Sequence, residues 1–113
     1  MNELTTPKQI MEEEIPRRLA AKPELQREMN AVVVFDITGP EGGKWTLDTT
    51  RTADWVSAGA EGVAPKMTLV ATDKDFVAVC TKKLNANMAA VNGKLKFRPM
   101  DMGLALKLGR LIG

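Results

Sequence analysis

The sequence predicts an α+β fold, and three observations carry that expectation. From Ala31 onward, five short runs place apolar residues at every second position, so each run has one apolar and one mostly polar face. A sheet of this kind is wet on one side and must be covered on the other. Helical patterns at both ends and in the middle of the chain supply the cover. The 113 residues, 44% hydrophobic and 27% charged, suit one globular domain over residues 1–113 and leave no room for two.

The elements follow in order. Thr6 can cap the first helix, Pro7 sits where a missing N–H costs nothing, and Gln9 completes a capping box. Ile10, Met11 and Ile15 then make an apolar strip, while Glu12, Glu13 and Glu14 read as a solvated face. Pro16 is expected to end or kink this helix, and Pro23 to set off a further short piece, within residues 6 to 29. In "AVVVFDITG" Val33, Phe35 and Ile37 share a face; "GPEGG" turns the chain; "KWTLDTT" puts Trp45 and Leu47 together. This is a β-hairpin. Its glycines are followed by neither a lysine–threonine pair nor a helix start, which argues against a phosphate cradle.

A weaker strand is expected around residues 54–58, with Trp55 on the outward face or near a cavity mouth. "KMTLVAT" aligns Met67, Leu69 and Ala71, and "KLKFR" turns Leu95 and Phe97 inward with Lys94, Lys96 and Arg98 outward. Between these strands Thr72 or Asp73 caps a helix, with Asp75 placed to close a box and Phe76, Val79 and Cys80 on one side. A second helical piece carries Leu84, Met88 and Val91, and Asn92-Gly93 ends it.

The last helix, residues 100 to 112, is unusual. Leu104, Ala105, Leu108, Leu111 and Ile112 form a broad stripe, Met102 and Leu106 extend it, and only Gly103, Lys107 and Arg110 hold a polar edge. The apolar arc covers about 220° at ~100° per residue. A helix lying on one sheet needs only about 100° or somewhat more. Three explanations stand: the helix is wedged between the sheet and other helices, or its spare face lines a cavity, or it touches a membrane or partner. Seven methionines and only 4% aromatic residues favour pliable packing around a cavity.

Composition narrows the chemistry. Histidine is absent, which excludes Ser–His and Cys–His nucleophilic pairs and imidazole zinc sites, and tyrosine is absent too. The one cysteine, Cys80, allows neither an internal disulfide nor a thiolate metal cage, and on an apolar face it reads as a buried small hydrophobe. No enzyme, metal or cofactor is expected. A net charge of +2 with interspersed signs gives no nucleic-acid-binding block. Absence of a signal-peptide run, of a membrane span and of a peroxisomal C-terminal tripeptide points to a cytoplasmic protein.

"GKLKF" followed by "MGLALKL" resembles the end of the sterol carrier protein-2 (SCP-2) lipid-transfer domain family, which has a Gly-Lys-Leu-Lys strand and a Met-Gly-Leu-Ala-Met-Lys-Leu helix. "FDITGPEGGKWTL", "MTLVATDKDFVAV" and "KKLNANMAAVNGKLKF" are similar to upstream blocks of that family in the same order, over about residues 31 to 111. Departures are Lys82 for the family's usual Gly, Ala86 for its usual Pro, Arg51-Thr52 for Asp-Gly, and "RPMD" for a Gly-containing turn. The chain looks like a stand-alone bacterial-type member. The resemblance implies a five-stranded mixed sheet, helices covering one face and an apolar tunnel between them. It also implies non-catalytic binding and transfer of sterols, fatty acids, acyl-CoA esters or phospholipids, with membrane contact through the C-terminal helix. On that basis Phe35, Leu69, Phe76, Val79, Leu84, Met88, Met102 and Leu106 are expected to line the lipid cavity. The alternative is an interaction or lipid-sensing module with a filled cavity that docks to a partner enzyme.

Overall fold

The computed structural model describes residues 6–113. The signal-peptide reading rests in part on residues 1–5, which lie outside the described residues.

Thr6 and Gln9 close a reciprocal capping box, each side chain bonding the other's backbone N–H at 3.2 Å, and start helix α1 (Pro7–Gln9). The chain does not break at Pro16. A π-helical segment, Ile10–Glu14, runs straight into α2 (Ile15–Ala21), and the Ile15 N–H donates to the Ile10 carbonyl five residues back. A proline can neither donate to the carbonyl four residues back nor fit closely against it. The wider turn just before Pro16 removes both problems and lets the helix continue. Pro23 opens α3 (Pro23–Met29), which ends on Asn30 in the left-handed region.

The sheet has five strands in the order β3-β2-β1-β4-β5: β1 (Val32–Thr38), β2 (Gly43–Asp48), β3 (Val56–Ala58), β4 (Met67–Thr72) and β5 (Lys96–Arg98). It is mixed, because β1 pairs parallel with β4 and the other neighbours pair antiparallel. The register places Trp45, Phe35, Leu69 and Phe97 side by side across four strands. Thr49 is fully buried at the open end of the hairpin, opposite its turn. Its hydroxyl donates to the Ala31 carbonyl and accepts from the Ala31 N–H, both at 3.0 Å.

Buried residues of α1 to α3 (Ile10, Met11, Ile15, Leu19, Leu25, Met29) share one core with the inward sheet residues. Phe35 and Phe76 meet edge to face at 5.8 Å. Thr72 caps α4 (Asp73–Cys80) by accepting from the Asp75 N–H. Asn85 caps α5 (Ala86–Val91), and Asp101 caps α6 (Met102–Ile112). The Leu104 N–H, with smaller help from Lys66 and Lys107, holds the Asp101 carboxyl below its usual range against some desolvation. In α5 the buried residue is Ala89, while Met88 and Val91 point to solvent. Of the expected Leu84–Met88–Val91 stripe, Leu84 packs against the core ahead of α5, while Met88 and Val91 are turned away from it, since a two-turn helix packs closest through its small residues.

Candidate functional site

Residues of α6 divide as the sequence suggests. Leu104, Leu108, Leu111 and Ile112 are buried against the core. Met102 and Leu106 lie 63% and 56% exposed. They border an apolar groove of about 300 Å³. Ala86, Ala90 and Val91 of α5 form one wall, Leu95 and Phe97 at β5 the floor, and Met100 to Gly109 the other wall. Among the described residues no titratable side chain lines it.

A second groove, of about 900 Å³, adjoins the first and shares Ala86, Asn87, Leu106 and Gly109 with it. Val79 of α4 and Leu84 are in its wall, together with Lys82, Lys107 and Arg110. A third depression of about 330 Å³ lies elsewhere, beside the Gly39–Gly42 turn. Its buried Asp73 is committed to the backbone, accepting from the Glu41 N–H at 3.0 Å and the Lys74 N–H at 2.8 Å. This locks the glycine turn to the start of α4 as a structural device.

The eight residues expected to line a cavity fall into three places. Met102 and Leu106 border the apolar groove, and Val79, Leu84 and again Leu106 border its neighbour. Phe35, Leu69 and Phe76 are wholly sealed in the core beneath. Met88 stands 54% exposed on α5, next to Asn87, which borders both grooves. Trp55 is half-buried just before β3, at the opposite edge of the sheet, with its indole N–H on the Arg51 carbonyl at 2.9 Å.

Pattern reading counted Ala105 in the apolar stripe of α6 but passed over the small residues Ala86, Ala90 and Gly109. A signal for them existed. Two glycines, Gly103 and Gly109, sit inside a helix where each costs about 1 kcal/mol relative to Ala. A Cβ added at Gly109 would meet nothing within 4 Å, so α6 faces open space at this position.

Cys80 is buried and desolvation pushes its thiol up to about 12, so it holds no thiolate at neutral pH. Among the described residues no cluster of His, Cys, Asp or Glu could hold a metal, and no helix is long and apolar enough to cross a membrane.

Residues 12–113 match the model of the SCP-2 sterol transfer family. Similar proteins include peroxisomal multifunctional enzyme A of Dictyostelium discoideum, 38% identical over 90 residues that cover 79% of this chain and 20% of that protein. Hydroxysteroid dehydrogenase-like protein 2 of Xenopus tropicalis is 35% identical over 79 residues, 70% of this chain and 19% of that one. The chain thus spans about a fifth of the length of these curated relatives. Among solved structures, palmitated SCP2L2 from Aedes aegypti superposes with a TM-score of 0.76 at 27% identity, covering 95% of this chain and 94% of that one. Sterol carrier protein domain 2 of Helicoverpa armigera gives 0.74 at 24% identity, covering 97% and 91%. With the family model covering all but the first eleven residues, the chain belongs to the SCP-2 sterol transfer family.

Proposed function

We propose that this chain, as a single domain over residues 1–113, binds a lipid between α5, α6 and β5 and releases it unchanged to a membrane or an enzyme. The observation that carries the reading is the exposed apolar rim. Val91, Met100, Met102 and Leu106 are 80%, 57%, 63% and 56% exposed, and all four border the same groove. An apolar opening of this kind marks an interaction site on a soluble domain. Each acyl CH₂ buried there contributes about 0.8 kcal/mol, before the costs of association. Family membership and the palmitated Aedes aegypti neighbour support a fatty acyl chain or sterol-like ligand.

In this proposal Met102, Leu106 and Leu84 meet the ligand in the grooves as they stand, with Val79 sealed behind the larger groove's wall and Met88 at the approach. Phe35, Leu69 and Phe76 join the lining when a longer chain slides beneath α6. The role proposed is holding and release, which an apolar lining of alanines, methionines, leucines and Phe97 suits. Transient membrane contact through the exposed face of α6 follows from the same rim. The unpaired Cys80 supports a cytosolic site of action.

Native mass spectrometry of the purified protein should show an added lipid mass, and a fluorescent fatty acid should bind. Leu106→Asp, which puts a charge at the junction of the two grooves, should weaken that binding about tenfold or more. A lipid-free protein that also ignores fluorescent fatty acids would sink the proposal and leave a docking module in its place.

A further inference from the structure

The two edges of the sheet are protected unequally. At one edge β5 carries Lys96 and Arg98, charges of the kind that keep a further strand away. At the other edge β3 reads Val56-Ser57-Ala58, carries no charge, and leaves Ser57 and Ala58 exposed. The backbone shows which of its groups are free. The Trp55 carbonyl accepts from the Asp48 N–H at 2.7 Å, and the Gly59 N–H donates to the Lys44 carbonyl at 2.8 Å. Residues 55, 57 and 59 therefore turn their backbone toward β2. In an antiparallel ladder the alternate residues, Val56 and Ala58, turn theirs outward, so each offers one N–H and one carbonyl at the open edge.

This edge is complementary to itself. Left-handed backbone at Asp54 (φ +54°) and Gly59 (φ +87°) bounds the segment on both sides, so a further strand can pair only across residues 56–58. A two-fold axis at Ser57 sets Val56 opposite Ala58 of a second copy, and Ala58 opposite its Val56, and the outward groups then exchange hydrogen bonds in both directions. The same axis sets Trp55 opposite Gly59 of the second copy. Trp55 is half-buried beside this edge and lines neither groove at α6. A Cβ at Gly59 would meet nothing within 4 Å, which leaves space there for an indole ring. An aromatic ring over an edge glycine is a stabilising cross-strand pair.

We propose that two copies of this chain pair edge to edge through β3, antiparallel about Ser57, into one continuous sheet, with each Trp55 packed over Gly59 of the other copy. The contact is small, so the dimer is weak, with a dissociation constant on the order of 100 μM. The grooves beside β5 and α6 stay open at the outer ends of the joined sheet. The pairing does not depend on the lipid reading.

Sedimentation equilibrium should show the average mass rising from monomer toward dimer between about 10 μM and 1 mM. Ser57→Lys sets two like charges face to face at the axis and should stay monomeric throughout, with an unchanged Tm because the residue is exposed. Wild type that is still monomeric at about 1 mM overturns the proposal and leaves the edge to a foreign strand. Association of Ser57→Lys like wild type, or assembly beyond a dimer, overturns it too. Ser57→Cys reads the axis directly. Facing residues of a non-hydrogen-bonded pair have Cα atoms about 4.5 Å apart, within reach of a disulfide. Mild oxidation should link Ser57→Cys into dimers about tenfold faster than Lys94→Cys, which lies just before the opposite edge strand. The buried Cys80 takes no part. Equal rates for the two variants overturn the assignment. Saturating palmitate should leave the association unchanged; dissociation by palmitate would move the contact to the α6 rim and overturn pairing through β3.

Discussion

Arg18 ties three elements together from one side chain. Its guanidinium donates to the Cys80 carbonyl at 2.7 Å and to the Leu111 and Ile112 carbonyls at 3.2 and 3.0 Å, and its Nε meets Glu14 at 2.7 Å. The last carbonyls of a helix have no partner within it, so a cation there satisfies hydrogen bonds and helix dipole together. Glu14 is the counterion. The hydrogen bond from Arg17 is the largest influence, burial opposes it, and Arg18 adds to it, so the carboxyl is held at about 2 against an ordinary 4.5. A carboxyl whose folded pKa is depressed contributes stability that is complete above its unfolded pKa and is lost as pH falls through the folded one. The contribution of Glu14 is therefore intact above pH 4.5 and disappears towards pH 2. Because Arg17 is largely exposed, screening leaves this contribution on the order of 1 kcal/mol. Thermal melts of wild type and Glu14→Gln should differ at neutral pH and converge between pH 4.5 and 2. A gap that stays constant across that window would remove Glu14 as its cause. The capping pair Thr6–Gln9 was readable because its partners are three residues apart, whereas the carbonyls that Arg18 holds lie 62 to 94 residues away.

Helix α6 is fastened unevenly. Its C-terminal half is held by Arg18, by Lys22 on the Arg110 carbonyl at 3.2 Å, and by Lys107 and Arg110 on Glu28. Its start has an exposed Lys66–Asp101 pair at 3.6 Å and the buried Leu104. Cutting the helix away is a poor way to ask whether it gates the groove. It buries Leu104, Leu108, Leu111 and Ile112. At about 1.5–3 kcal/mol each, their loss approaches the whole stability of a small domain. A staple asks the question without that loss. A Cβ built on Gly113 stands 3.0 Å from the Ala86 Cβ, and a disulfide needs about 3.5–4.5 Å, a shift that the residue ending the helix can make. The double variant Ala86→Cys, Gly113→Cys should therefore oxidise and clamp α5 to the end of α6. The buried Cys80, with its thiol pushed up to about 12, stays out of the exchange. Uptake and release of a fluorescent fatty acid should slow about tenfold in the oxidised form and recover on reduction. Unchanged rates in a verified disulfide would show that separation of α5 from α6 plays no part in entry.

Across the whole molecule, legibility followed the kind of signal each feature leaves. The row Trp45–Phe35–Leu69–Phe97 was visible because alternation with period two writes itself into every strand. The parallel pairing of β1 with β4 joins strands some thirty residues apart and leaves no local trace. The double face of α6 was visible as excess apolar circumference. A cavity beside that face was one of three readings, but its facing wall was not legible, because hydrophobic patterns register large side chains and Ala86, Ala90 and Gly109 leave room by lacking them. The same reasoning predicts how the domain responds to a ligand. Met100, Met102, Leu106 and Val91 are already paid for by the rest of the core, which holds the fold while they remain in water. An acyl chain that covers them binds the folded state and not the unfolded one. At 100 times its dissociation constant such a ligand adds about 2.7 kcal/mol to stability. For a chain of this length that corresponds to a rise in Tm of roughly 10 °C. Calorimetry of delipidated protein with and without saturating palmitate should show this rise, and Leu106→Asp should lose most of it. If palmitate leaves Tm unmoved in protein proved free of endogenous lipid, the groove between α5 and α6 is not where this chain takes an acyl ligand.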